Sequence, residues 1–126
     1  LRAEHLFVYG TLRRGSKNKF ARMLADRAQF VTAARVPGRL YDFGQYPGAV
    51  RSDQSSDQPD QWLLGEVWRF EDAQLLPSLD DYEGSEFERA LASAEMEDGR
   101  AIECWIYWYV GPATGRLIAS GDWLKP

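Results

Sequence analysis

Apolar and polar positions alternate in short blocks along the chain, and the period changes from block to block. His5 to Tyr9 ("HLFVY") reads as a short buried strand. Over Lys19 to Arg27 ("KFARMLADR") the period lengthens. Phe20, Met23 and Leu24 then share one helical face with charges opposite, and Asn18 stands at the N-cap. Gln29 to Val36 and Arg39 to Phe43 return to extended structure on either side of a Pro37-Gly38 turn, and Tyr46 to Val50 follows. Arg51 to Gln61 ("RSDQSSDQPDQ") contains no apolar residue and reads as a solvated loop. Trp62 to Phe70 is a strong strand. Glu71 to Tyr82 is helix-like, with Leu75, Leu76 and Leu79 on one side, and Pro77 is expected to break or restart it. Phe87 to Glu95 and Ala101 to Val110 are strands joined by an Asp98-Gly99 hairpin. Ala101 to Val110 is apolar on both faces, so it is expected to lie centrally with cover on each side. After Gly111-Pro112 the pattern weakens.

Strands dominate, and few of the connections can hold a crossover helix. The fold class expected is therefore α+β: a mostly antiparallel sheet curled into a small β-barrel with flanking short helices. The 126 residues are read as one domain, 1–126. An aromatic content of 13%, with five tryptophans, points to a core packed around rings. The net charge of -4 argues against a nucleic-acid partner, since only Arg13, Arg14, Lys17 and Lys19 cluster. Cys104 is the only cysteine, which excludes an intrachain disulfide and a cysteine-based metal knot and fits a cytoplasmic location. No run of about 18 apolar residues predicts a membrane span, and no signal peptide is read. The oligomeric state is left open.

The first candidate site is "FVYGTLRRGSKNKF", Phe7 to Phe20. A phosphate-binding loop places lysine directly after its second glycine. Here Gly15-Ser16-Lys17 transposes that order, and the surrounding pattern lacks the repeated βαβ units such a loop needs. Gly10 would let the chain turn and a ligand approach. The amides of Thr11 and Leu12 would then project from a strand end, where they can hold an anion or a developing oxyanion. The competing reading is a tight turn with Arg13 and Arg14 in solvent. The second stretch is "SLDDYEGSEFER", Ser78 to Arg89. Glu83 beside Tyr82 at a helix end can have its pKa raised by desolvation, as a general acid/base requires. It can equally be a solvated glutamate before a Gly C-cap. Asp80, Asp81 and Glu83 lack the alternating oxygen ligands of a calcium loop. His5 with Cys104 is a weak catalytic pair, because Cys104 lies in the doubly apolar strand.

Together these residues resemble the gamma-glutamylcyclotransferase-like family, in its small bacterial or gamma-glutamylamine form. The features are "VYGTLRRG", "LYDFGQYPGAV", "GEVWRF", "LDDYEG" and "SGDW", in the family's order over nearly the whole chain. The resemblance implies a small β-barrel with flanking helices and a cofactor-free, metal-free acyl transfer. The γ-glutamyl amide of a small-molecule substrate closes to 5-oxoproline and releases its amine. It implies Glu83 as the catalytic acid/base and Tyr9, Gly10, Thr11, Leu12 and Tyr107 as substrate-binding residues. Family members often carry Tyr-x-Arg after the Glu-Gly pair, whereas this chain has Phe87-Glu88-Arg89. Retention of Glu83 favours an enzyme, and loss of the hydroxyl at Phe87 favours a non-catalytic binding module.

Overall fold

The strands and helices alternate in hydrophobic period as the sequence requires. A computed structural model describes residues 4–10, 12–13, 18–44, 46–51, 61–112 and 114–124. The element order is β1 (Glu4–Val8), α1 (Lys19–Arg27), β2 (Ala28–Pro37), β3 (Arg39–Asp42), β4 (Pro47–Val50), β5 (Trp62–Phe70), α2 (Leu75–Glu83), β6 (Phe87–Met96), β7 (Ala101–Tyr109) and β8 (Arg116–Ile118). The strands form one sheet in the order β1-β5-β2-β6-β7-β4-β3-β8. A parallel bridge between Leu6 and Trp105 joins β1 to β7 and closes a five-strand barrel, from which β4, β3 and β8 extend. The other parallel pairing is β4 with β7, and the remaining strand pairs are antiparallel.

Each helix carries a crossover. β1 and β2 lie on opposite sides of β5, and α1 connects them; β5 and β6 lie on opposite sides of β2, and α2 connects them. Side-chain alternation then divides the core in two. Phe7, Tyr9, Leu63, Val67, Cys104, Ile106 and Trp108 belong to one apolar cluster. Their neighbours in sequence, Leu6, Val8, Trp68 and Tyr107, belong to a second, together with Leu24, Leu75, Leu76 and Leu79 of the helices. β7 feeds both clusters, which explains its two apolar faces.

The helix α2 begins at Leu75, later than expected. Asp72 forms an Asx turn, its carboxylate accepting the Gln74 N–H at 2.8 Å and its carbonyl the Leu75 N–H at 3.1 Å. Pro77 therefore occupies the first turn, where a missing N–H removes no helical hydrogen bond, and it does not break the helix. The hairpin is present, with the Gly99 N–H donating to the Met96 carbonyl at 2.9 Å and Asp98 accepting the Arg100 N–H at 3.0 Å. β8 has only three residues and was not anticipated. The side chain of Phe20, residues 14–17 and most of the polar loop (52–60) lie outside the described residues.

Candidate active site

A cavity of about 460 Å³ opens where the end of β1, the end of α2 and the start of β6 meet. Its floor is buried: Phe7, Val8, Tyr9, Leu12 and Tyr107 line it. Its rim is exposed at Tyr46, Gly84, Ser85 and Glu86. Between them stands Glu83, the last residue of α2. The helix stops there because Gly84 takes a φ of 83°, open to glycine at little cost, while its N–H still donates to the Asp80 carbonyl at 3.1 Å. That termination leaves the Glu83 side chain on the cavity wall. Burial there pushes its pKa from 4.5 up to about 7.

Tyr9 is fixed by its hydroxyl. It donates to the Tyr107 carbonyl at 2.5 Å and accepts the Ala49 N–H at 3.2 Å, tying the end of β1 to β7 and β4. Burial, and then the Glu83 charge, raise the Tyr9 pKa far above its usual range, so the hydroxyl keeps its proton. Tyr107 is also committed. Its hydroxyl donates to Asp80 Oδ1 at 2.7 Å, and burial is the first cause of its raised pKa. Asp80 in turn receives Arg89 Nε at 2.9 Å and Nη2 at 3.2 Å, and the Arg89 hydrogen bond holds the Asp80 carboxyl below its usual range. The Arg89 guanidinium lies 4.6 Å from the Trp105 ring centroid. With both oxygens of Asp80 engaged by Arg89, and one also by Tyr107, Asp80 serves the docking of α2 onto β6 and β7. The Tyr107 proton is spent on Asp80, so Tyr107 does not replace, as a donor, the hydroxyl absent at Phe87. Phe87 presents an apolar ring to the cavity.

The opening loop differs from expectation at Gly10 and Arg13. The Arg13 N–H donates to the Gly10 carbonyl at 3.1 Å, closing a turn. This bond leaves the Leu12 N–H outside the turn's own hydrogen bonding. Gly10 has no left-handed φ. A Cβ there would stand 2.6 Å from Pro47 Cγ, so glycine is needed for the close approach of β4. Arg13 was expected in solvent, yet its guanidinium pairs with Asp122 at 2.7 Å, with side chains only 14% and 15% exposed. Thr11 lies outside the described residues, as do Arg14 and Lys17. Glu83, Tyr9, Gly10, Leu12 and Tyr107, far apart in sequence, therefore meet at one cavity.

Sequence reasoning assigned no role to Tyr46, Pro47, Ser85 or Glu86, which also line it. Tyr46 and Pro47 lay within "LYDFGQYPGAV", and that motif was the available signal. The pair His5 and Cys104 gains no support. Cys104 is buried, its pKa pushed up to about 12 chiefly by desolvation, and its thiol faces the Ala92 carbonyl at 3.7 Å.

The family model for gamma-glutamyl cyclotransferase, AIG2-like, matches residues 6–125. The chain is 38% identical over 127 residues to a protein of Vibrio cholerae provisionally named a gamma-glutamylcyclotransferase, covering 97% of each. It is 27% identical to the gamma-glutamylaminecyclotransferase of Rattus norvegicus, covering 82% of this chain and 76% of that one. Among solved structures, an AIG2-like protein from Mus musculus superposes with a TM-score of 0.73 at 25% identity, over 90% of this chain and 82% of that one. YkqA from Bacillus subtilis gives 0.73 at 28% identity; the match covers 97% of this chain but 40% of YkqA. The chain belongs to the AIG2-like gamma-glutamyl cyclotransferase family and is an enzyme of that type.

Proposed function

We propose that the chain converts a γ-glutamyl-amine or γ-glutamyl-amino acid to 5-oxoproline and the free amine, with Glu83 as general acid/base. The observation that carries this reading is a carboxyl group with a pKa near 7 on the wall of a cavity it shares with the Gly10–Arg13 turn. The substrate's α-ammonium gives a proton to Glu83 and its nitrogen attacks the γ-carbonyl carbon. The C–N ring bond forms, and the carbonyl electron pair moves to oxygen. As that oxyanion collapses, the bond to the leaving amine breaks and the leaving nitrogen takes a proton from Glu83. The second proton shed by the α-nitrogen also ends on the amine, which departs as an ammonium. No electrons are exchanged and no water is consumed, so the chemistry calls for no cofactor.

Ring closure is already intramolecular, and holding the near-attack conformer lowers the barrier by several kcal/mol. In this reading the Leu12 N–H stabilises the oxyanion, a contribution of about 3 kcal/mol per donor. Tyr9, Gly10, Thr11 and Tyr107 complete the proposed substrate site. Glu83→Gln keeps size and hydrogen bonding but removes the base, so 5-oxoproline release should fall about 10²-fold or more. Near-normal turnover in that variant would remove Glu83 from the mechanism. Phe87, in place of a hydroxyl, favours a second reading, a binding module that holds γ-glutamyl compounds without turning them over. A panel of such compounds that bind but release no 5-oxoproline would establish it. A single buried cysteine agrees with work in the reducing cytoplasm.

A further inference from the structure

Glu83 is the last residue of α2, where a helix has least hydrogen bonding of its own to hold the chain in place. Two side chains of that last turn are fastened to other elements. Asp80 is bound by Arg89 of β6 and Tyr107 of β7. Tyr82 is bound from elsewhere: its hydroxyl accepts from Asn18 Nδ2 at 2.9 Å, across 64 positions of sequence. Asn18 opens α1, its carbonyl accepting the Arg22 N–H at 3.1 Å. The Tyr82 ring packs against the apolar cluster that the helices cover, and it also lines the cavity.

A helix turns by about 100° per residue, so Asp80 and Tyr82 point to roughly opposite sides of α2. Asp81 lies in one arc between them and is exposed. Glu83 lies in the other. A helix end held on one side only can roll about that contact, and a second bond on the opposite side removes the roll. We infer that the Asn18–Tyr82 hydrogen bond is a positioning device for Glu83: it joins the start of α1 to the end of α2 and holds the acid/base carboxyl against the cavity wall. Asn18 and Tyr82 are positioning residues in this scheme, acting through the backbone of α2. The Tyr82 hydroxyl is the working part, since a phenylalanine would fill the same space and leave the two helices unjoined. The inference rests on the cyclotransferase reading for what Glu83 does, and on geometry alone for how it is held.

The titration of the carboxyl itself tests the placement without turnover. In protein isotope-labelled at the glutamate carboxyls, the Glu83 resonance is the one lost in Glu83→Gln, and its midpoint is expected at about 7. The other titratable groups lining the cavity among the described residues are Tyr9, Tyr82, Glu86 and Tyr107. Tyr9 and Tyr107 keep their protons through this range. Tyr82→Phe removes one oxygen and keeps the ring. Asn18→Ser keeps a residue suited to a helix start but is too short to reach Tyr82. In each variant Glu83 is freed to swing towards water, and its midpoint should fall by about half a pH unit or more. In each, kcat for 5-oxoproline release should fall about tenfold, with KM changed less than about twofold. The double variant should do no more than either single change, since both remove one bond. A midpoint that is unchanged or raised in both variants would overturn the device. Additive losses in the double variant would also overturn it, as would a change confined to KM, which would make Tyr82 a substrate contact. A lower melting temperature with midpoint and kcat unmoved would show a bond that serves stability alone, and would overturn it too. If the wild type releases no 5-oxoproline from a panel of γ-glutamyl compounds, the cyclotransferase reading falls, and the midpoints still decide whether the bond positions Glu83.

Discussion

Glu83 is poised to gain and lose a proton near neutral pH because its helix ends at a cavity and takes the carboxyl out of water. With a pKa of about 7 in the folded chain, kcat/KM should rise about tenfold per pH unit below 7 and level off above it. A limb centred near 4.5 would show a solvated carboxylate and contradict the site. The same shift has a stability consequence with a definite sign. The folded-state pKa lies above the ordinary value of 4.5, so the folded chain binds the proton more tightly. Stability from this group is fully present below about pH 4.5 and is lost as pH rises through 7, for a total on the order of 3 kcal/mol. Glu83→Gln cannot ionise. Its melting temperature relative to the wild type should therefore increase between pH 5 and pH 8, and a flat difference would contradict the buried placement. Glu83 was legible because "DYEG" sets a carboxylate between an aromatic residue and a helix-ending glycine. Glu86 and Tyr46 were not. Their shared rim exists only once Tyr46 is brought beside Glu86 and Phe87 across the sheet.

At the scale of elements, period-2 and helical patterns located most strands and α1 to within a residue or two; α2 began four residues after its expected start, at Leu75. β8 escaped because it is three residues long and is held by its pairing with β3 rather than by any pattern of its own. Pro77 misled because the start of α2 is set by Asp72, which sequence spacing did not single out. The position of Glu83 depends on how α2 docks. Asp80 is one turn earlier on that helix and is held by Arg89 of β6 and Tyr107 of β7. These bonds are partly exposed, with side chains 27% and 40% accessible for Arg89 and Asp80, so their direct contribution is about 1 kcal/mol. Their effect on the end of the helix should be the larger one. Asp80→Ala should lower kcat by about tenfold, the scale expected when a catalytic group is displaced slightly, while costing little stability. Asp80→Asn, which can still accept from Tyr107, should recover part of that loss. Equal damage from both substitutions would assign the effect to charge rather than to the anchoring of Tyr107.

For the molecule as a whole, closing the barrel depends on contacts between distant parts of the chain. An α+β barrel was legible from strand content, but not the bridge between Leu6 and Trp105 that closes it, because a parallel contact between first and seventh strands leaves no local signal. "SGDW" was legible as a motif and not as a contact. Its aspartate, Asp122, accepts from Arg13 at 2.7 Å and from the Leu124 N–H at 3.0 Å, while Trp123 packs against the inner core. The turn that follows β1 is thus fastened to the last described residues. Both charges are largely buried, so removing one leaves the other without compensation, and the cost should exceed that of a surface pair. Arg13→Ala should lower stability by about 2–3 kcal/mol, against less than about 1 kcal/mol for a solvated cation. Asp122→Ala should cost a similar amount. The double variant should cost little more than either alone, since the penalty of each single change is the orphaned partner. Denaturant titrations with unchanged slopes measure all three values. Additive losses would show that Arg13 and Asp122 act independently, and a loss under 0.5 kcal/mol for Arg13→Ala would return that residue to solvent. The turn at Gly10–Arg13 also borders the cavity, so loosening it should reduce kcat/KM in both single variants, and by similar factors, at temperatures where each remains folded.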